Sequence, residues 1–484
     1  FFILAAAGMV FAGEGPSGAP AENVAASAVR NISLEAAIGR ALTENLDIQI
    51  ARHGLAKAEA DYRRTRSEVF YPALSVMLQW APDNRGTQVF GSTFVRTSSS
   101  SLTSSSTLSQ NFGGGSTFGL TYSENRIANA STLGGNTAAT AYINETDVFY
   151  SLKLFPDDRR QFHLGMDLTK IGVEQARVTA RDKASEVSLN VASAYWNVAR
   201  TEDILNAREA ALKEAQETYD SVKANYDAGR LSIVEFGTAE ANLAARQVDE
   251  EAARQDLKSA RDTFLLLLDL PYDEEFEVEP LAEFPHTEAD AEATIQEILD
   301  RAPALRLVDL ERKSAELDLH NARATGEGDL SFDISAGFQG SGADHASASE
   351  SMKYSGLNIE LRYTTVFGLT DREVAPVMFN LESLKRQRDL TEMQLTQQGR
   401  KALRDIESGF ARAAAAKKGL EASQKSLEGV RARYDVGMVT LLEVLRAESD
   451  VLASRLTYID TVYVANLAVA GLARLKGEIF RGRP

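Results

Sequence analysis

Two stretches of this chain say nearly the same thing. "YDAGRLSIVEFGTAE" starts at Tyr226 and "YDVGMVTLLEVLRAE" starts at Tyr434, 208 residues later, with Tyr, Asp, Gly, Glu, Ala and Glu at matching places. The match continues upstream. Steps of seven back from Tyr226 meet Tyr219, Leu212, Leu205, Val198 and Val191; back from Tyr434 they meet Leu427, Leu420, Ala413 and Ile406. A sustained heptad stripe requires long helices packed side by side along a seam. Between about residues 160 and 226 there is no proline, and the only glycines are Gly165 and Gly172. Such a helix runs on the order of 100 Å at ~1.5 Å per residue. The second copy covers about 374 to 434. A duplication on this scale restricts the chain to folds that accommodate two very long helical hairpins.

The hairpin apices are readable in detail. Gly229 and Gly437 suit the left-handed residue just past a helix end. Ser232 and Thr440 are good N-caps, and Glu235 and Glu443 follow three residues later, so each segment predicts a capping box. Leu231 with Phe236, and Val439 with Val444, have the spacing of hydrophobic staples. The return helices are then about 232–268 and 440–476.

Each half also opens with a shorter helical pattern, about 32–70 and 293–325, followed by alternating segments. Leu74, Val76, Leu78 and Trp80 alternate with Ser75, Met77 and Gln79; Val148, Tyr150 and Leu152 alternate with Asp147, Ser151 and Lys153, with Phe149 an exception on the polar side. In the second half Leu330, Phe332, Ile334, Ala336 and Phe338 form one such set, and Leu357, Ile359, Leu361 and Tyr363 another. Strict period-2 alternation with aromatic ends and ~10-residue lengths is the signature of an outer-membrane barrel. Between the first two strands lies a Ser/Thr/Gly/Asn-rich stretch, about 82–144. It can hold a hairpin turning at "NFGGGS", either in the barrel wall or as an external flap.

The resulting division is residues 1–12 as a signal-peptide remnant, 13–31 as a linker and 32–270 as the first repeat. Its parts are a helix (32–70), strands with the polar insert (72–156) and a hairpin (160–268). An acidic, irregular connector follows at 271–292. The second repeat is 293–478, with a helix (293–325), strands (329–366) and a hairpin (374–476). "FFILAAAGMVFA" reads as the end of a secretory apolar region. Elsewhere no apolar run approaches the ~20 residues of a membrane helix, so entry into a membrane is expected through strands.

Composition excludes several functions. A net charge of −17 disfavours nucleic acid, which needs a basic face. The chain has no cysteine, and its five histidines show no metal-ligand spacing, so no thiolate or His-built metal site is expected. "NFGGGS" is no phosphate loop, because no Lys-Ser/Thr follows. Neither a catalytic constellation nor a cofactor is expected.

From Ile32 to Gly477 the chain resembles the TolC family of outer-membrane efflux channels. The resemblance rests on "SLEAAIGRALTENLDIQIARHGLAKAEADYRRTRSEVFYPALSV", on "AYWNVARTEDILNAREAALKEAQETYDSVKANYDAG", and on both Y-D-x-G tips in full helix–strand–helix halves. It implies a mostly α chain with a membrane β-barrel part and duplicated coiled-coil hairpins. Three copies would pool about four strands each into a 12-stranded barrel in a Gram-negative outer membrane, and their helices into a trimeric periplasmic α-barrel tube. The homotrimer would meet outer-membrane lipid, a periplasmic adaptor, and through it an inner-membrane pump of the RND, ABC or MFS type. The family members are passive ducts, not enzymes. Two departures stand out: Leu46 follows Asn45 where the family usually has proline, and Val439 and Arg446 replace a basic and an acidic residue of one family tip pattern.

By family position Glu235 and Glu443 line the periplasmic constriction, where six carboxylates in a trimer would favour cations. Their structural alternative is helix capping. Asp227 and Asp435 sit at helix C-termini, where the dipole disfavours them, and join the same constriction. Tyr434 ends the heptad stripe and, by family position, hydrogen-bonds across the closed tip. Gly229, Arg230, Leu231, Gly437, Met438 and Val439 form the apices that an adaptor would grip. The rival readings are a periplasmic coiled-coil adaptor, with one hairpin and small β domains, and a soluble scaffold without amphipathic strands.

Overall fold

The computed structural model describes residues 30–480 apart from breaks at 84–86, 91–92, 113, 132–136, 155, 283–289, 328 and 365–368. The proposed signal remnant and most of the linker after it lie outside the described residues. The first half runs β1 (Arg30–Ile32), α1 (Leu34–Glu44), α2 (Leu46–Phe70), β2 (Ala73–Asp83), β3 (Thr87–Phe90), β4 (Thr93–Phe112), β5 (Ser116–Ser131), β6 (Thr137–Lys153), α3 (Pro156–Asp227) and α4 (Ile233–Leu268). After β7 (Phe276–Val278) the second half runs α5 (Ala291–Arg301), α6 (Pro303–Glu327), β8 (Asp329–Gly342), α7 (His345–Glu350), β9 (Lys353–Thr364), α8 (Leu369–Asp435) and α9 (Leu441–Leu475).

The short opening helix of each half is two helices, not one. In the first, Asn45 leaves the helical region (ψ 131°) and serves both neighbours. Its backbone N–H donates to the Ala41 carbonyl, its side-chain oxygen accepts from the Asp47 N–H at 2.9 Å, and its amide donates to the Leu267 carbonyl at 2.9 Å. Asn45 thus ends α1, starts α2 and ties the break to α4. In the second half the same break falls at Ala302, with Pro303 opening α6. Proline fits that first position because its missing N–H has no helical acceptor there anyway.

The connector is also less irregular than its composition predicts. β7 pairs in parallel with β1, and Phe276 is buried against Phe264 (ring centroids 5.3 Å apart). Around this pair lies the main core: Val191, Tyr195, Trp196 and Val198 from α3, Leu265 and Leu268 from α4, and Phe480. Trp196 meets Phe480 edge-on at 5.7 Å, and the Phe480 N–H donates to Ser188 Oγ. The heptad residues Val191, Val198, Ile406, Ala413 and Leu427 are all buried. α9 corrects another expectation, for it is long and apolar enough by composition to cross a membrane. It lies instead along α8 and α3, with Val462, Ala465 and Ala470 buried.

The sheet corrects the strand count. β2, β4, β5, β6, β8 and β9 lie side by side in that order, every neighbouring pair antiparallel, and β3 pairs with β4 beyond the end of β2. The four anticipated strands are β2, β6, β8 and β9; the polar stretch adds β4 and β5 between β2 and β6, and the short β3 beside β4. Serine and threonine on both faces of β4 hide the alternation there. The β4–β5 turn sits at Gly114–Gly115, where Gly115 takes φ +77°.

One row across the apolar face reads Leu74, Leu108, Leu120, Val148, Ala336 and Leu357. The neighbouring row on the other face reads Ser75, Thr107, Thr121, Asp147, Gly337 and Gly356. Phe149 falls on that polar face and is explained by its partner: it lies over Gly119, where any Cβ would run into the ring. An aromatic covering a cross-strand glycine is a known device for packing a sheet at a small residue.

Candidate functional site

The two hairpin tips share one backbone. At the first, Gly229 takes φ +72°, its N–H donates to the Tyr226 carbonyl at 2.8 Å, and the Arg230 N–H donates to Asn225 at 2.9 Å. At the second, Gly437 takes φ +77°, its N–H donates to Tyr434 at 2.9 Å, and the Met438 N–H donates to Arg433 at 2.9 Å. Both are Schellman turns, which satisfy the orphan carbonyls of a helix end. Each requires a residue without a Cβ penalty at the left-handed position.

The caps that follow differ. Ser232 Oγ accepts the Glu235 N–H at 3.3 Å, and Glu235 Oε2 accepts the Ser232 N–H at 3.0 Å, completing a capping box. Thr440 forms no such box, contrary to its T-x-x-E sequence. The Glu443 N–H is taken by the Thr440 backbone carbonyl at 3.1 Å, and the threonine hydroxyl donates to the Glu443 carboxylate at 3.4 Å. Glu235 is therefore fixed as a cap and half-buried, whereas Glu443 is exposed and loosely held.

Aromatic packing separates the tips further. Phe236 stacks on Tyr226 (5.1 Å, 16° between planes) and meets Tyr219 at 5.7 Å. Leu231 and Phe236 pack with Val222, Ala239, Leu441 and Leu445, and Tyr434 joins the same cluster. The start of α9 is thus buried against the first hairpin. Tyr434 faces its neighbour within the chain.

The remaining predicted residues distribute as follows. Asp227, Gly229, Arg230, Gly437 and Met438 are exposed, and Leu231 and Val439 are half-buried. Asp435 closes α8, and its side chain lies outside the described residues. The apices carry more apolar surface than the sequence reading assigned. Met438 is 76% exposed with Val436 exposed on the same tip, and Ile233 and Val234 are exposed just past the first.

Arg431 was also missed. One of its terminal nitrogens lies 3.0 Å from Glu214 on α3 and 2.9 Å from Glu448 on α9, joining three helices. Burial pulls the guanidinium down, but the hydrogen bonds and charges of Glu448 and Glu214 outweigh it and hold it above its ordinary range. The matching residue of the first copy is Lys223, whose ammonium lies 6.0 Å from the Tyr219 ring. Among the described residues no group of three or more His, Asp or Glu is placed to hold a metal ion. The turns are fixed and the apices expose apolar side chains.

A family model described as outer membrane efflux protein matches residues 117–268 and 294–478. The outer membrane efflux protein BepC of Brucella suis is 23% identical over 349 residues, 71% of this chain and 75% of that protein. The outer membrane protein TolC of Escherichia coli is 21% identical over 281 residues, 56% of this chain and 57% of that protein. Among solved structures, the outer membrane protein VceC of Vibrio cholerae superposes with a TM-score of 0.70 at 14% identity, over 92% of this chain and 97% of that one.

Proposed function

The chain belongs to the outer membrane efflux protein family, and on that premise we propose how this efflux channel of a Gram-negative outer membrane is assembled and used. Three copies pool their sheets into one barrel and their hairpins into a tube that reaches across the periplasm. The duct is passive; a periplasmic adaptor couples it to an inner-membrane pump of the RND, ABC or MFS type. The observation that carries this reading is the sheet. Six strands are too few to close around an open channel, and among the described residues β2 and β9 each leave an unpaired edge. Both edges carry exposed apolar side chains, Leu74, Val76, Leu78 and Trp80 on one and Leu357, Ile359, Leu361 and Tyr363 on the other. A soluble adaptor or scaffold has no use for such a face.

The helices supply the length. At 72 residues, α3 spans about 108 Å. At its far end Met438, Val436, Ile233, Val234 and Arg230 form the surface an adaptor tip would cover. Glu443, Glu235, Asp227 and Asp435 ring the aperture, and Tyr434 with Arg431 holds the second hairpin against the first.

Fractionation of membranes, followed by native mass measurement of the solubilised protein, tests the assembly. Recovery from outer membranes at three times 52.6 kDa is expected; a soluble monomer would overturn the reading. In planar bilayers, Glu235→Ala with Glu443→Ala should weaken cation selectivity. Unaltered selectivity would leave Glu235 a helix cap alone and Glu443 without a part in the aperture.

A further inference from the structure

Each copy's contribution to the barrel is larger than four strands. β4 and β5 pair along their whole length, Phe112 with Ser116 at the helix end and Thr97 with Ser131 at the other. β2 pairs with β4, and β5 with β6, so the hairpin separates the two strands that would otherwise be neighbours. Around the shared row its residues follow the two faces of the wall, while farther from the helices Ser104, Ser106 and Glu124 take the places of apolar residues on the outer one. Leu108 and Leu120 continue the apolar row, and Thr107 and Thr121 the polar one, where their hydroxyls bond at 3.0 Å. A flap outside the membrane would have no reason to match both rows.

The apolar band gives the tilt. On β9 it covers Leu357 to Tyr363, on the helix side of the shared row; on β2 it covers Leu74 to Trp80, on the far side. Its centre climbs six residues over five strand steps. With about 3.4 Å per residue and about 4.8 Å between strands, that is a tilt of about 40°, within the range of membrane barrels. β2 and β9 run in opposite directions, so β2 of one copy can pair antiparallel with β9 of the next, and six strands per copy keep the total even.

We propose that the β4–β5 hairpin is part of the barrel wall, so that three copies close an eighteen-stranded pore. The total of eighteen rests on the trimeric reading above; the hairpin's place in the wall does not. At this tilt, eighteen strands give a backbone diameter of about 36 Å, against about 24 Å for twelve, and a cross-section a little over twice as large. Such a barrel is wider than a twelve-stranded one, and selection by width falls to the helical tips.

The chain's lack of cysteine makes the test direct. Single substitutions Leu108→Cys, Leu120→Cys, Thr107→Cys and Thr121→Cys would be made in the full chain and reconstituted in lipid vesicles. Fluorophores at 108 and 120 should lose emission when the acyl chains are brominated. Cysteines at 107 and 121 should instead react with a water-soluble thiol reagent. Aqueous reactivity at all four positions, without lipid quenching, would overturn the proposal. Electron microscopy of the unmodified protein in nanodiscs should count eighteen strands; twelve would equally overturn it. Native mass on the same sample separates this from the assembly, because a wall with lipid-facing Leu120 in a non-trimer sinks the trimer alone.

Discussion

The two hairpin tips are built on the same turn and stabilised in different ways. The first is self-sufficient. Its capping box is complete, and Phe236 packs on Tyr226 and Tyr219 from its own hairpin. The second has no side-chain cap and leans on the first, through Leu441, Leu445 and Tyr434 and through the Arg431 bridge to Glu214. Duplication therefore conserved a backbone while dividing the labour. One arm is a fixed post, and the other is held to it by side-chain packing and one ion pair.

The largest effects should come from what the tips share. Gly229→Val and Gly437→Val each place a β-branched residue in the left-handed region, at a cost of about 2–3 kcal/mol. Hydrogen exchange at the tip amides should show equal losses, since both turns have open space around the glycine; a marked inequality would mean the turns are not equivalent. Next is Phe236→Ala, at about 2 kcal/mol for a half-buried ring. The division of labour requires that protection also falls at residues 441–445. If only the first tip loosens, the second does not depend on it. Arg431→Met leaves the nearly buried Glu448 without its cation and should cost about 1–2 kcal/mol. A double-mutant cycle with Glu214→Gln measures the coupling, while Lys223→Met at the matching position should be close to neutral. Smallest is the cap pair. Ser232→Ala should cost about 1 kcal/mol and Thr440→Ala within about 0.5 kcal/mol, read from thermal unfolding. Equal costs would erase the distinction between the arms.

Much of this architecture is legible in the sequence because its signals are local and periodic. The heptad stripes placed the long helices, and the glycines with their flanking residues placed the turns. What escaped did so for physical reasons. Thr440 and Glu443 have the residue types of a capping box, but the backbone carbonyl claims the amide first. Arg431 looks like one more charge on a helix face, and only the approach of α3 and α9 gives it partners. β4 carries Ser104 and Ser106 where the alternation calls for apolar residues, so its place in the sheet is set by pairing with β2 and β5. Asn45 reads as mid-helix polarity until its amide is seen on the Leu267 carbonyl.

That asparagine has a consequence for the unfolded chain. The second half makes its break with Pro303, and the first makes it with Leu46, a position that costs conformational freedom on folding. Leu46 opens α2, is 60% exposed, and follows a residue whose dihedrals, φ −59° and ψ 131°, match those of Ala302 before Pro303, φ −57° and ψ 123°. Leu46→Pro should therefore stabilise the protein by about 0.4–1 kcal/mol, chiefly by narrowing the denatured ensemble and with no new contact in the native one. The native fold already holds the shape of a proline that this half of the chain does not have.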